Sequence, residues 1–266
     1  MTTRAGVLGV LRARVAAIET SSKPGRVLPL GDPRLDLNLP GGGLPLGRWH
    51  ELAGEGLEAE DPAAVTGFAA RLAAAISAKD SAGIETGGGE TVWVLRRDDL
   101  YAPGLAGLGL DPARLLFVTV RRDADALAAA EDALRATGIS AVAAEVEALD
   151  LVAGRRLQLA CERTGATGLI LRRRRALRAG DKAPARAEAT AAETRWKIAP
   201  APSQPEQPGF TGLGPPRWRV ELERCRGGRP GAWTVEAGDG PHPLRVVAEL
   251  ADHEFQETPA RRVARG

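Results

Sequence analysis

Apolar and polar positions along this chain fall into three successive regimes. Over residues 5–19, Val7, Leu8, Leu11, Val15 and Ile18 recur at helical spacing, which predicts a short amphipathic helix, and the breaker-rich TSSKPG follows it. From about 27 to 172, strand and helix patterns alternate. GRWHEL (47–52) reads as a strand after the turn-rich PGGGLP. Residues 62–78 fit a helix with Val65, Phe68, Leu72 and Ile76 on one stripe, Asp61 as N-cap and Pro62 at the first helical position. TVWVL (91–95) and LLFVTV (115–120) are unbroken apolar runs, the pattern of strands covered on both faces. A helix over 123–137 carries Leu127, Ala130 and Leu134 on one face. ISAVAAEV (139–146) is a strand, 151–164 a helix and TGLIL (167–171) a strand. Such alternation argues for an α/β fold whose largely parallel sheet is flanked by helices.

The pattern then changes. RRRRALRAGDKAPARAEATAAE (172–193) has little to bury and reads as a basic mobile loop. TRWKIA, PRWRVELERC, AWTVEAG and PLRVVAEL are short alternating segments separated by Gly/Pro turns, expected as mostly antiparallel C-terminal strands extending the sheet. The organisation expected is an N-terminal helix and linker (1–24), a core (25–255) containing the basic loop, and a flexible basic tail (256–266).

Composition adds three constraints. With 266 residues, 44% hydrophobic and 26% charged, the chain is an ordinary globular one with ample core. Two cysteines, Cys161 and Cys225, make neither a disulfide framework nor a four-ligand zinc site. No apolar run approaches the roughly 20 residues of a membrane span, and Arg4, Arg12 and Arg14 interrupt the start where a signal peptide would be apolar, so a cytoplasmic location is expected. The net charge of +2 hides an asymmetry: residues 1–167 carry 18 basic and 22 acidic side chains, the remainder 18 and 12. A basic C-terminal region points to phosphates or an acidic partner, or to no more than scattered solvated arginines.

Enzyme signals are weak. A phosphate-binding turn needs glycines, a Lys and a Ser/Thr; here the first strand-to-helix turn reads AGEGLEAEDPAAVTGF. Gly54 and Gly56 are present, but Glu55, Glu58, Glu60 and Asp61 crowd the helix start, where they would repel a triphosphate. Glu145 and Glu147 end a strand, where a magnesium-binding acid could sit. His50, His242 and His253 lack metal-ligand spacing. The strongest signal is Arg172, Arg173, Arg174 and Arg175, followed by Arg178, Lys182 and Arg186, a loop able to wrap a polyanion. Arg195-Trp196-Lys197 and Arg217-Trp218-Arg219 each set an indole between two cations. Either these indoles stack on bases, or alternation points them into the core and the cations outward.

LPLGDPRLDLNLPGGGLPLGRWHEL resembles the entry to a RecA core. TRWKIAPAPS, GLGPPRWRVELERCRGGRPGAW and LRVVAELADH resemble the C-terminal signature of the ImuA family, and the likeness runs from about 28 to 253. That family comprises RecA-like accessory proteins of the damage-inducible mutagenesis cassette. The resemblance implies a RecA-like core and a non-catalytic adaptor in SOS-induced translesion synthesis. Its implied partners are ImuB (a Y-family polymerase homologue), the error-prone polymerase, RecA and DNA, with no cofactor, metal or membrane. It places a degenerate nucleotide site at Gly54, Gly56 and Glu145, with Asp98 nearest to the position of the catalytic acid. A short first DNA-binding loop falls at 148–154 and a second at about 172–190, on the arginine run. Leu8, Leu11, Val15 and Ile18 become partner-docking candidates. The alternatives are a SulA-like division inhibitor and an ATPase with a non-standard phosphate loop.

Overall fold

A computed structural model describes residues 25–55, 62–78, 88–173, 190–205, 212–238 and 242–249. The predicted N-terminal helix with its docking candidates, the Asp61 cap and the tail lie outside these residues.

The chain enters through a two-stranded antiparallel pair, β1 (Val27–Leu28) and β2 (Leu44–Pro45), with a short helix α1 (Pro33–Asp36) between them. The PGGGLP turn closes it. Gly41 and Gly42 have positive φ, and a Cβ on Gly43 would stand 2.5 Å from the Leu28 carbonyl oxygen.

The main sheet is built from β3 (Trp49–Gly54), β4 (Glu90–Leu95), β5 (Leu115–Thr119), β6 (Ile139–Val146), β7 (Thr167–Arg172), β8 (Thr194–Ala201), β9 (Arg217–Cys225), β10 (Gly231–Ala237) and β11 (Leu244–Glu249), in the order β11-β10-β9-β8-β3-β7-β6-β4-β5. All pairs from β8 to β5 are parallel, and those from β8 to β11 are antiparallel. β8 is the pivot, parallel to β3 on one side and antiparallel to β9 on the other. The expected α/β architecture, a largely parallel sheet flanked by helices with C-terminal antiparallel strands, is the one observed.

Helix α2 (Pro62–Ser77) covers one face, with short helix α3 (Ala102–Ala106) beside it; α4 (Asp123–Arg135) and α5 (Leu151–Thr164) cover the other. Residues 64–77 of α2 are buried almost all round, which explains a composition of Ala, Gly and Val rather than a single apolar stripe. Arg71 on this helix donates from Nε to the Pro243 carbonyl at 3.1 Å and from Nη2 to those of Gly238 (2.7 Å) and His242 (3.0 Å), tying α2 to the β10–β11 turn. On the opposite face two glycines admit Trp49: a Cβ on Gly168 or Gly154 would lie 3.0–3.1 Å from its side chain.

Two expectations change and, between them, one open alternative is decided. LLFVTV is not doubly covered: β5 is the sheet's edge and exposes Leu116 and Phe117. A strand length of apolar residues cannot by itself distinguish a central strand from an unprotected edge. Trp196 and Trp218 do not stack outward. Both are buried against Phe68, with ring centroids 6.1 and 5.8 Å away, so alternation governs and the flanking cations take the open face. The chain beyond TGLIL is ordered further than expected: β7 runs through Arg172, and Arg173 donates its backbone N–H to the Val146 carbonyl at 2.9 Å.

Candidate functional site

In a parallel sheet the loops following the strands' carboxyl ends assemble the site. β3, β7 and β6 lie side by side here, and charge enters the apolar sheet in mid-β3 and at the last residues of β7 and β6. Glu51 is the third residue of β3 and faces the side occupied by Trp49. Its Oε1 lies 3.6 Å from Arg172 Nη1 and its Oε2 3.1 Å from Arg195 Nε. Two strands further, on β6, Glu145 is fully buried. Its Oε1 takes Arg173 Nη2 at 2.6 Å, and its Oε2 accepts the backbone N–H of Arg96 at 3.3 Å. Arg173 also stands 3.5 Å from Asp99.

A third group adjoins these two. Arg96 Nη1 sits 2.8 Å from Asp123 and 3.5 Å from Glu147. The Asp123 carboxylate accepts the backbone N–H groups of Glu147 (3.0 Å) and Ala148 (2.9 Å), fixing the turn after β6. Beyond β3, Glu55 donates its backbone N–H to the Ile198 carbonyl and pairs its side chain with Arg219. The carboxyl edge is thus a lattice in which arginines and carboxylates neutralise one another, each buried charge matched by a partner.

The candidate residues fall into place unevenly. Gly54 ends β3, and Glu145 is beside Arg173; Gly56 is outside the described residues. Asp98 is exposed. The short loop after β6 holds Leu149 buried and ends at Asp150, whose side chain accepts the Ala153 N–H at 2.7 Å to cap α5. Arg172 and Arg173 are inside the lattice, whereas Arg174, Arg175, Arg178, Lys182 and Arg186 lie outside the described residues. Glu51, Arg96 and Asp123 were not singled out by sequence reasoning, and Arg195 only as a cation flanking Trp196. A Glu within an otherwise buried strand was the available signal for Glu51; the other pairs join residues far apart in sequence and left none.

One buried titratable group sits beside Glu51, at the amino end of β3. His50 Nε2 bonds the Pro45 carbonyl at 2.9 Å, which can only accept, so Nε2 carries the proton. Nδ1 meets Thr194 Oγ1 at 2.8 Å, and the same oxygen receives the Trp196 indole N–H at 2.8 Å. The Thr194 hydroxyl therefore donates to a neutral ring, and burial pushes the His50 pKa down to about 4. Burial also pushes Cys161 and Cys225 up to about 12, so neither is a thiolate at neutral pH. Among the described residues, no group of three or more His, Cys, Asp or Glu could hold a metal, and no helix is long and apolar enough to cross a membrane.

No family model matches the chain. Two relatives named Protein ImuA, from Caulobacter vibrioides strains NA1000 / CB15N and ATCC 19089 / CIP 103742 / CB 15, are each 53% identical to it over 243 residues, covering 90% of this chain and 96% of theirs. Among solved structures, a KaiC-like protein, PH0186 from Pyrococcus horikoshii OT3, superposes with a TM-score of 0.48 at 18% identity, covering 84% of this chain and 99% of that one. SulA from Pseudomonas aeruginosa gives 0.38 at 23% identity, covering 47% and 96%. At such scores neither structure adds to what the sheet order displays.

Proposed function

The chain belongs to the ImuA family, and from that premise we propose that it acts without chemistry of its own, as a RecA-like adaptor in damage-induced translesion DNA synthesis. Its partners in this reading are ImuB and the error-prone polymerase, with RecA and DNA as further contacts, all in the cytoplasm. The observation that carries the non-catalytic part is the carboxyl edge of the sheet. Where a nucleotide site would need unpaired donors and a metal-binding acid, Glu145 is already taken by Arg173 and the Arg96 N–H, and Glu51 by Arg172 and Arg195. The turn from Gly54 to Thr66 contains no Lys, and four acids stand in it. A triphosphate would have to displace ion pairs and face carboxylates. Isothermal titration with Mg-ATP checks this: no saturable binding is expected. Micromolar binding lost on Gly54→Val would replace the adaptor reading with that of an ATPase using a non-standard loop.

Nucleic acid is the second part of the proposal. Arg172 and Arg173 anchor the start of the basic segment in the lattice, which leaves Arg174, Arg175, Arg178, Lys182 and Arg186 as the phosphate-contacting candidates. Each phosphate neutralised on single-stranded DNA adds roughly 0.7 to the slope of log affinity against log salt. Changing Arg174, Arg175 and Arg178 together to Ala should therefore flatten that slope by about 2 in fluorescence anisotropy. An unchanged slope would remove direct DNA contact by this segment. Pull-down of ImuB by the purified chain tests the adaptor role itself, with the tubulin-like division protein as the competing bait.

A further inference from the structure

A helix that covers a sheet turns its apolar residues inward and its charges to water. α4 does so: Ala126, Ala130 and Leu134 are buried, and Asp132 and Arg135 are exposed. α5 does so on its inner side only, where Gly154, Leu157, Ala160 and Cys161 are buried. On its outer side Leu151, Val152 and Leu159 are 52%, 70% and 60% exposed. At 100° per residue, Val152, Arg155, Leu159 and Arg163 share an arc of about 80° opposite the buried residues. The cations on this arc are unmatched. Of the acids beside α5, Glu131 is held by Arg135 and Arg156, and Glu162 by Arg48 at 2.8 Å. Arg155 and Arg163 are exposed and make no ion pair among the described residues. The helix dipole favours Arg163 in the last turn, but it explains neither Arg155 nor the exposed Val152 and Leu159.

We propose that the outer face of α5 is a docking surface for an amphipathic helix of a partner protein. That helix presents apolar residues to Val152 and Leu159 and carboxylates to Arg155 and Arg163. The proposal stands on the geometry of α5 and is independent of the adaptor reading. Residues three and four apart form the ridges that pack into the grooves of another helix, and Val152, Arg155, Leu159 and Arg163 follow that spacing. Along the axis the two guanidinium-bearing positions stand about 12 Å apart with Leu159 midway, so an apolar anchor is flanked by two cations. Charge selects the occupant. A second copy laid antiparallel across Leu159 would set Arg155 of one copy against Arg163 of the other at both ends, a like-charge arrangement. The chain's own residues 1–24 carry Arg4, Arg12, Arg14 and Lys23 against Glu19, again the wrong sign. Nucleic-acid phosphates would match the arginines but leave Val152 and Leu159 in water. An acidic helix with an apolar stripe satisfies all four residues.

The test is a displayed library of helical peptides, randomised on one face, selected on the full chain and counter-selected on Leu159→Glu. That variant sets a carboxylate between the two arginines at an exposed position. Enriched sequences should combine apolar residues at helical spacing with Asp or Glu, and synthetic versions should bind the unaltered chain at least about tenfold more tightly than the variant. Binding should weaken as salt is raised. The double change Arg155→Glu with Arg163→Glu is the second variant and decides the matter if Leu159→Glu melts early. It should lose the acidic peptides and bind versions in which Lys replaces each acid, a rescue that a merely structural role would not produce. Failure to enrich, enrichment without an acidic bias, equal binding to a folded variant, or absence of the charge-swapped rescue overturns the proposal. So does a concentration-dependent dimer abolished by Leu159→Glu, which gives the face to a second copy. Single-stranded DNA that displaces the peptides and is itself lost on the double change gives the arginines to phosphates. Peptide binding that appears only after deletion of residues 1–24 makes the chain's own N-terminal segment the occupant, and either result likewise overturns it.

Discussion

The two halves of the sheet use the same residue types, arginine and glutamate, to opposite ends. From β5 to β3 the strands are parallel and mostly sandwiched between helices, so few buried charges are admitted, in mid-β3 and at the carboxyl ends of β6 and β7. There Glu51 and Glu145 are withdrawn from water and held by Arg172, Arg195 and Arg173. From β8 to β11 one face packs on α2 and the other is largely open; Arg217 and Arg245 bury Glu236 there, whereas Lys197, Glu221 and Glu223 lie on that face as partly exposed cross-strand neighbours. Burial, rather than the number of ion pairs, decides what each pair is worth. A buried pair holds the structure because breaking it strands a charge; an exposed pair competes with water and salt.

The largest effect is therefore expected at the end of β6. Glu145→Ala removes the carboxylate but leaves the Arg173 guanidinium in place, only 11% exposed. Loss of one partner of a buried pair costs about 3–5 kcal/mol, and urea unfolding measures it. Replacing both, Glu145→Leu with Arg173→Met, should recover most of that loss. If the single change costs under about 1 kcal/mol, like an exposed pair, the contrast between the halves fails.

Next comes the amino end of β3, where the ordering group is neutral. In the unfolded chain His50 titrates at its ordinary 6.5, and in the folded chain at about 4. Between these values the unfolded state binds the extra proton, so stability is complete above about pH 6.5 and falls as pH drops towards 4. The full loss is about 3 kcal/mol, from a shift of about 2.5 units at 1.36 kcal/mol each. Melting temperatures across this window should slope for the unaltered chain and flatten for His50→Gln. Equal slopes would mean that other groups carry the acid sensitivity.

Much of the fold was legible because each half has its own period. Unbroken runs such as TVWVL and TGLIL, separated by helical stretches, announce sandwiched parallel strands, and RWRVELER announces a one-sided strand by strict alternation. The same alternation settles Trp196 and Trp218, whose neighbours point to the open face. Illegible were features fixed by long-range pairing. Nothing within LLFVTV says that no strand among the described residues lies beyond it. Nor does the run of four arginines disclose that its first two members close on Glu51 and Glu145, 121 and 28 residues earlier. The site was therefore located by composition, while its internal neutralisation came only from the fold.

The smallest effect is the one that best sharpens the contrast, because its geometry looks as good as that of the buried pairs. Lys197 Nζ stands 2.8 Å from Glu223 and 3.8 Å from Glu221, closer to Glu223 than Arg172 is to Glu51. Distance alone would rank it as strong. Its side chain is 40% exposed, however, and those of the glutamates 28% and 24%, so water reaches all three before and after any substitution. Lys197→Met leaves no stranded charge in an apolar setting, and the methylene stem that packs along β9 is retained. A double-mutant cycle of Lys197→Met with Glu223→Gln should give a coupling of about 0.2–1 kcal/mol that shrinks as salt is raised. The same cycle on Arg173 and Glu145 should give a coupling several times larger and nearly indifferent to salt. Equal couplings would show that pair geometry outweighs burial, and the distinction between the two halves would then rest on their packing alone.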